Sequence, residues 1–171
     1  MNRDKIIGLM TEAIRQTLLE DRDILEWGRS ERAFNCLLAA KVRELLGDGV
    51  LRCDSNYLRH GTDRKELTNR ITGERKRIEA DLVIHQRGSD PLNILIMELE
   101  TIQSATETPD DLWKVRDMTT QDGEYRYLHG LHMTFGIEAH AGEILSERWF
   151  DNGQEVDGFT PISNNLVEVG L

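Results

Sequence analysis

Three carboxylates lie at one end of a stretch that has the pattern of a β-hairpin. Two apolar arms flank a turn that contains glycine and proline. Asp81 opens the first arm, and Glu98 and Glu100 close the second arm on one shared face, because strand side chains alternate. A symmetric hairpin places Asp81 opposite Glu98 and His85 opposite Ile94, with opposed Cβ atoms about 5 Å apart.

This acidic cluster predicts a bound cation. Like charges directly opposite each other destabilise a sheet, so the carboxylates need a compensating cation or a shared proton. Mg²⁺ commonly takes one or two carboxylates together with waters and substrate phosphates. It polarises phosphoryl oxygens and generates a hydroxide nucleophile from its bound water. The spacing therefore favours metal-assisted phosphoryl or hydrolytic chemistry.

The competing interpretation is that these carboxylates face water at the end of the strand. Ile94 and Ile96 are expected on the same face as Glu98 and Glu100, so this face begins buried and becomes acidic only near its end. Glu100 itself is expected to be an exposed strand-end carboxylate that contributes little to packing.

The surrounding pattern predicts the elements that would position the cluster. It indicates helices over 2–20, from Ser30 to Gly47 and from Thr108 to Met118, a weak strand at 50–57, and a strand at 125–135 with Tyr125, Tyr127, His129, Leu131, Met133 and Phe135 on one face. Ser30 is a good N-cap, and Glu31 after it would sit in the first turn, where the helix dipole alone favours a carboxylate. The order predicts an α/β or α+β sandwich, a single domain whose mixed central sheet is flanked by helices and carries the site at one sheet edge.

The charge distribution sets limits on nucleic-acid binding. A net charge of −10 counts against a protein that coats nucleic acid electrostatically. The basic residues nevertheless concentrate in segment 59–77, just before the acidic hairpin. This segment is either a solvated loop or an arm that contacts phosphates, with Arg59, Arg64, Lys76 and Arg77 as the candidate contacts.

Other features narrow the class of protein. No apolar run approaches the roughly 20 residues that span a bilayer, and the N-terminus has no apolar signal core, so we expect a cytoplasmic protein without a membrane partner. Cys36 and Cys53 have neither metal-ligand spacing nor the density of a disulfide framework. His129 and His132 fall on opposite faces of the predicted strand, which argues against a shared zinc ion.

Together these residues resemble the PD-(D/E)XK nuclease superfamily over about residues 30–136. The resemblance rests on Glu31 at a helix start, Asp81 at the opening of the hairpin, the run Glu98-Leu99-Glu100 at its end, and Asp111 and Lys114 in the following helix. Segments 77–88 and 125–130 are also similar to small uncharacterised bacterial and phage members. The resemblance implies one restriction-endonuclease-like domain over 1–171, with an N-terminal helix at 2–20 and a C-terminal extension at 143–171.

The resemblance further implies a Mg²⁺ (or Mn²⁺) ion held by Asp81, Glu98 and the carbonyl of Leu99. The family carries a lysine where this chain has Glu100. Glu100 then acts as a third ligand and general base, or activity is reduced, or Lys114 supplies the missing cation from the next helix.

The implied function is metal-dependent hydrolysis of phosphodiester bonds in DNA by an endonuclease with an E-x-E variant of the usual site. The alternative is a weakened or inactive nuclease-fold module that binds nucleic acid or protein. The sequence leaves open whether the chain forms a homodimer.

Overall fold

A computed structural model describes residues 1–28, 31–57, 59–60, 63–64, 66–69, 72–102, 112–168 and 170. The helices are α1 (Arg3–Asp21), α2 (Asp23–Glu26), α3 (Glu31–Leu46), α4 (Leu112–Thr119) and α5 (Pro161–Glu168). The strands are β1 (Arg52–Tyr57), β2 (Arg59–His60), β3 (Asp63–Arg64), β4 (Glu66–Thr68), β5 (Arg75–Arg77), β6 (Ala80–Gln86), β7 (Ser89–Ile102), β8 (His129–Gly136), β9 (Ile144–Asp151) and β10 (Gln154–Glu155). The expected caps at Ser30 and 108–111 lie outside the described residues.

A six-stranded mixed sheet forms the centre of the domain, in the order β1-β6-β7-β8-β9-β10. All neighbours are antiparallel except β7 and β8, which run parallel and are joined through α4. This confirms a mixed α/β domain with flanking helices. The expectation that the site lies at a sheet edge is wrong, because β6 and β7 are interior strands.

The sheet has a buried cluster on each face. α1, α3 and α5 cover one face, where α1 contributes apolar side chains at helical spacing, among them Ile6, Met10 and Ile14. α4 covers the other face through Val115 and Met118. Among the described residues, no helix is both long and apolar enough to cross a membrane.

The hairpin register agrees with the symmetric prediction near the acidic end and departs from it near the turn. Ile84 pairs with Leu95 as predicted, but His85 pairs with Asn93 and not with Ile94, because a bulge interrupts β7. Ile94 consequently packs in the cluster under α1 and α3, which corrects its predicted face.

The predicted aromatic strand begins later than expected. β8 starts at His129, and Tyr125 and Tyr127 precede it and pack in the cluster beneath α4, whereas Leu131 and Phe135 pack in the opposite cluster. The predicted single face therefore holds for Leu131, Met133 and Phe135 and is wrong for Tyr125 and Tyr127. The basic segment is not a plain loop either, since its described parts form the two short ribbons β2–β3 and β4–β5.

The C-terminal residues extend the sheet and add a helix that is held by one buried carboxylate. Glu147 on β9 accepts hydrogen bonds from Trp149 Nε1 at 2.7 Å, from the backbone N–H of Ile162 at 3.0 Å and from that of Ser163 at 2.8 Å. It thus satisfies donors in the first turn of α5, which are otherwise unpaired at a helix N-terminus.

Candidate active site

Asp81 is held by both its main chain and its side chain. Its Oδ2 accepts a hydrogen bond from the Leu99 N–H at 2.9 Å, and its carbonyl accepts one from Asn35 Nδ2 at 2.6 Å. Leu82 pairs with Met97. The register of β6 and β7 continued by one residue therefore brings Asp81 level with Glu98, as predicted.

The first turns of α3 reach the same end of the sheet. Glu31 Oε2 accepts a hydrogen bond from the Thr101 N–H at 3.1 Å. Glu31 therefore joins the site region through a backbone contact, in addition to its position in the first turn of α3. Asn35 was not predicted, although an amide on the buried face of an apolar helix is the signal that could have identified it.

Glu98 is paired with a cation from the next helix. Lys114 Nζ lies 2.6 Å from Glu98 Oε2, and the two side chains are 15% and 2% exposed. A buried carboxylate requires such a partner to remain ionised. Lys114 thus supplies part of the compensating charge that the sequence assigned to a metal ion.

Glu100 and His132 form a second buried pair beside Glu98. Glu100 is 7% exposed, so the expectation of an exposed strand-end carboxylate is wrong. Its Oε1 lies 3.5 Å from Nε2 of His132, which is 1% exposed and opposite Glu98 on β8. Thr134 is opposite Glu100 on the same strand.

Nothing in the local pattern identifies His132 as part of this site. Its place depends on the parallel pairing of β7 with β8, which joins segments that are far apart in the sequence. The alternation along 129–136 does separate it from His129, which lies 2.8 Å from Asp151.

Two carboxylates and one backbone carbonyl in this region remain as candidate Mg²⁺ ligands. Within the described ranges, no group of three or more His, Cys, Asp or Glu side chains is arranged to hold a metal ion. Asp81, Glu98 and Glu100 therefore do not form a three-carboxylate ligand set. Two carboxylates, Asp81 and Glu98, with the carbonyl of Leu99 still match the oxygen donors that Mg²⁺ takes when waters complete its shell.

Comparison with known proteins identifies no relative of this chain. No protein-family model, curated protein or solved structure matches this chain. A functional assignment therefore depends on the residues and on their placement.

The basic residues predicted to contact phosphate are only partly described. Lys76 and Arg77 lie on the β4–β5 ribbon with side chains 55% and 70% exposed. Acidic neighbours offset them, since Lys76 Nζ lies 3.2 Å from Glu74 and Arg77 Nε lies 3.8 Å from Glu66. The side chains of Arg59 and Arg64 lie outside the described residues, as do Asp111 and the rest of 103–111.

The β4–β5 ribbon is attached to the face of the sheet that carries Glu98. Leu67 and Ile78 pack in the cluster under α4. The Tyr125 hydroxyl donates to the Glu66 carbonyl at 2.8 Å and accepts from the Glu66 N–H at 3.0 Å. The ribbon that carries Lys76 and Arg77 therefore packs on the face of the sheet that α4 covers.

A separate polar group locks β1 to β6. Asp54 Oδ2 lies 2.9 Å from His85 Nε2, and Arg87 donates to both oxygens of the same carboxylate. Burial raises the pKa of Asp54, but the hydrogen bonds from Arg87 and His85 outweigh burial and lower the pKa from 3.8 to about 2. His85 therefore has a structural role, as a partner of the Asp54 carboxylate.

Asp54→Asn is expected to lower the free energy of unfolding at pH 7 by about 2 kcal/mol. Because the folded pKa lies below the unfolded one, this stability is present above about pH 4 and is lost as the pH falls toward about 2. Urea unfolding between pH 2 and 7 measures it. Glu12→Gln is the control, since the pKa of Glu12 is also about 2 but its carboxylate is 39% exposed. Solvent screening limits that loss to at most about 0.5 kcal/mol. Equal losses in the two variants would contradict the assignment.

Proposed function

We propose that this chain is a metal-dependent nuclease that hydrolyses phosphodiester bonds in DNA. The observation that carries the proposal is the buried Lys114–Glu98 pair, in which the helix after the hairpin delivers a lysine to the carboxylate level with Asp81. This favours the version of the resemblance in which Lys114 replaces the lysine that Glu100 displaces. The order of helix, hairpin and helix around a mixed sheet is also consistent with the resemblance.

The proposed ion would be held by Asp81, Glu98 and the Leu99 carbonyl, and when bound it would polarise the phosphoryl oxygen and acidify a water molecule. Asp81 is oriented by the Leu99 N–H and, through its own carbonyl, by Asn35. These contacts fix the carboxylate before any substrate arrives, which lowers the cost of ordering it.

Lys114 acts as an electrostatic group. Its ammonium has three donor hydrogens, so it can hold Glu98 in the ionised form and also contact a phosphoryl oxygen. A fixed positive charge at 15% exposure stabilises negative charge that develops on phosphate more strongly than a solvated one does.

Glu100 and His132 provide the candidate proton acceptor. A carboxylate and an imidazole separated by 3.5 Å can take up a proton at Glu100 Oε1 or His132 Nε2 during attack by water. This role belongs to two neighbouring strands and replaces the third-ligand role that the sequence suggested for Glu100.

DNA binding is expected to be weak and local. Lys76 and Arg77 are exposed on the β4–β5 ribbon, and acidic neighbours partly neutralise them. With a net charge of −10, the rest of the chain repels a polyanion. Substitution of Lys76 or Arg77 should therefore weaken DNA binding, and each lost phosphate contact should reduce the slope of log affinity against log salt concentration by about one.

Metal binding and cleavage test the proposal together. Plasmid and single-stranded DNA are incubated with the protein with and without Mg²⁺ or Mn²⁺, and cleavage is expected only with metal. Calorimetry should show Mn²⁺ binding that weakens at least about tenfold in Asp81→Asn, because one of two carboxylate ligands is lost. Asp48→Asn, which removes an exposed remote carboxylate, should bind as wild type does.

Equal Mn²⁺ affinity in wild type and Asp81→Asn, or no binding in either, would remove the metal site. Absence of cleavage together with retained DNA binding would favour the alternative, a nuclease-fold module without catalysis.

A further inference from the structure

A cleft of about 490 Å³ opens between α4 and the β9–β10 hairpin. Its walls include two aromatic rings, those of Trp113 and Phe150. Arg116, Asp117, Arg148 and Gln154 add donors and acceptors. The volume lies within the range of small-molecule sites.

The chemistry of the cleft suits a flat heterocycle better than a bare anion. Phe150 is buried, and the Arg148 guanidinium lies 6.0 Å from its ring centroid. Arg148 is held in place by Glu155, with Nε 2.7 Å from Oε1. The charges of the two arginines are balanced by Asp117 and Glu155, so the cleft has little net attraction for phosphate. The half-buried Trp113 ring and the Arg148 guanidinium are therefore the planes available to a ligand. Aromatic and guanidinium planes with nearby polar edges bind unstacked bases.

The cleft and the carboxylates lie on the same face of the sheet. Glu98, His132 and Arg148 are cross-strand neighbours on β7, β8 and β9. Two interstrand spacings, about 10 Å, therefore separate Glu98 from Arg148. Trp113 and Lys114 are consecutive on α4, so one helix contributes to the cleft and to the ion pair. Neighbouring nucleotides of one strand span a distance of that size.

The structure assigns this cleft to an unpaired nucleobase beside the scissile phosphate, which makes the preferred substrate single-stranded DNA. This inference rests on the proposed nuclease function for the identity of the substrate. It is consistent with the acidic chain, because affinity that depends on stacking needs fewer phosphate contacts than affinity for a duplex.

Binding in EDTA tests the inference without any cleavage. Fluorescence anisotropy compares a labelled single-stranded oligodeoxynucleotide with an abasic strand and a duplex of the same length. Wild type should bind the single strand at least about tenfold more tightly than the other two. Trp113→Ala should lose about tenfold for the single strand only, the effect of one stacked base. Trp27→Ala removes an exposed tryptophan outside the cleft and should bind as wild type does.

Trp113 also packs against the cluster under α4, so Trp113→Phe is included as a variant that keeps an aromatic ring. It should retain affinity within about threefold, and thermal melting checks that both variants fold. Equal affinity of wild type for the single and abasic strands, or Trp113→Phe as weak as Trp113→Ala, would overturn the inference.

The two proposals fail separately. Base-dependent binding without metal-dependent cleavage removes the nuclease and keeps the cleft. Metal-dependent cleavage that is equally fast on the intact and the abasic strand removes the role of the cleft and keeps the nuclease. An oligoribonucleotide of the same sequence shows whether the sugar matters.

Discussion

Lys114→Ala is expected to lower Mg²⁺-dependent cleavage of DNA by about 100- to 1,000-fold. The variant removes a cation that lies 2.6 Å from Glu98, and loss of a single preorganised group that stabilises developing charge has effects of this size. A plasmid nicking assay at saturating metal measures the loss directly. If Glu100 alone supplied the catalytic function, cleavage by Lys114→Ala would stay near wild type.

Folding must be separated from catalysis in this test, because the pair is buried. Removing Lys114 leaves the Glu98 carboxylate in a site that is 2% exposed, and such a change costs about 3–5 kcal/mol. Lys114→Met combined with Glu98→Gln replaces both charges and should recover most of that stability without recovering cleavage. A double variant that is both stable and active would show that the pair serves the fold alone.

A matched surface pair provides the control. Lys41 Nζ lies 2.6 Å from Glu20 Oε2, the same separation, but Glu20 is 57% exposed. Lys41→Ala should leave cleavage unchanged and cost at most about 1 kcal/mol. A difference between Lys114→Ala and Lys41→Ala would then reflect the burial and position of the Lys114–Glu98 pair, because both variants remove one ion pair.

Local pattern was sufficient to predict the hairpin and its acidic end. Apolar arms on either side of Gly88 define both strands, and a symmetric register between them places Glu98 level with Asp81. The pairing departs from that symmetry near the turn, where the register shifts at His85 and again at Gln86, and Ile94 is the apolar residue affected. A bulge adds a residue to one strand, and no spacing rule reveals it, so Ile94 moved to the other face.

Non-local pairing accounts for most of what the sequence could not reveal. His132 joins the site only because β7 and β8 pair in parallel, and Glu100 is buried where it lies beside Thr134 and His132 of β8. The charge argument correctly required a cation near Glu98. It could not distinguish a metal ion from a lysine sixteen residues later, since only the packing of α4 brings Lys114 to that carboxylate.

The approach of α4 to the sheet depends on a glycine. A Cβ on Gly130 would lie 2.4 Å from Val115 Cγ1 and 2.8 Å from Thr119 Cγ2, closer than side chains tolerate, so α4 would have to shift. Gly130→Ala is therefore expected to lower the free energy of unfolding by about 2 kcal/mol, after a small gain from the stiffer unfolded chain. Because Lys114 precedes Val115, cleavage should also fall by about tenfold, through the displaced Lys114–Glu98 pair.

A double-mutant cycle identifies the contact responsible. Val115→Ala removes the nearest atom, so Gly130→Ala should cost at least about 1 kcal/mol less in that background than in wild type, and part of the cleavage should return. Gly8→Ala is the control on an open helix surface where nothing lies within 4 Å, and it should raise stability by about 0.5–1 kcal/mol without affecting cleavage. Strict additivity of the two substitutions would mean that the contact between Gly130 and Val115 does not set the position of the helix, and this link from strand β8 to the lysine would be lost.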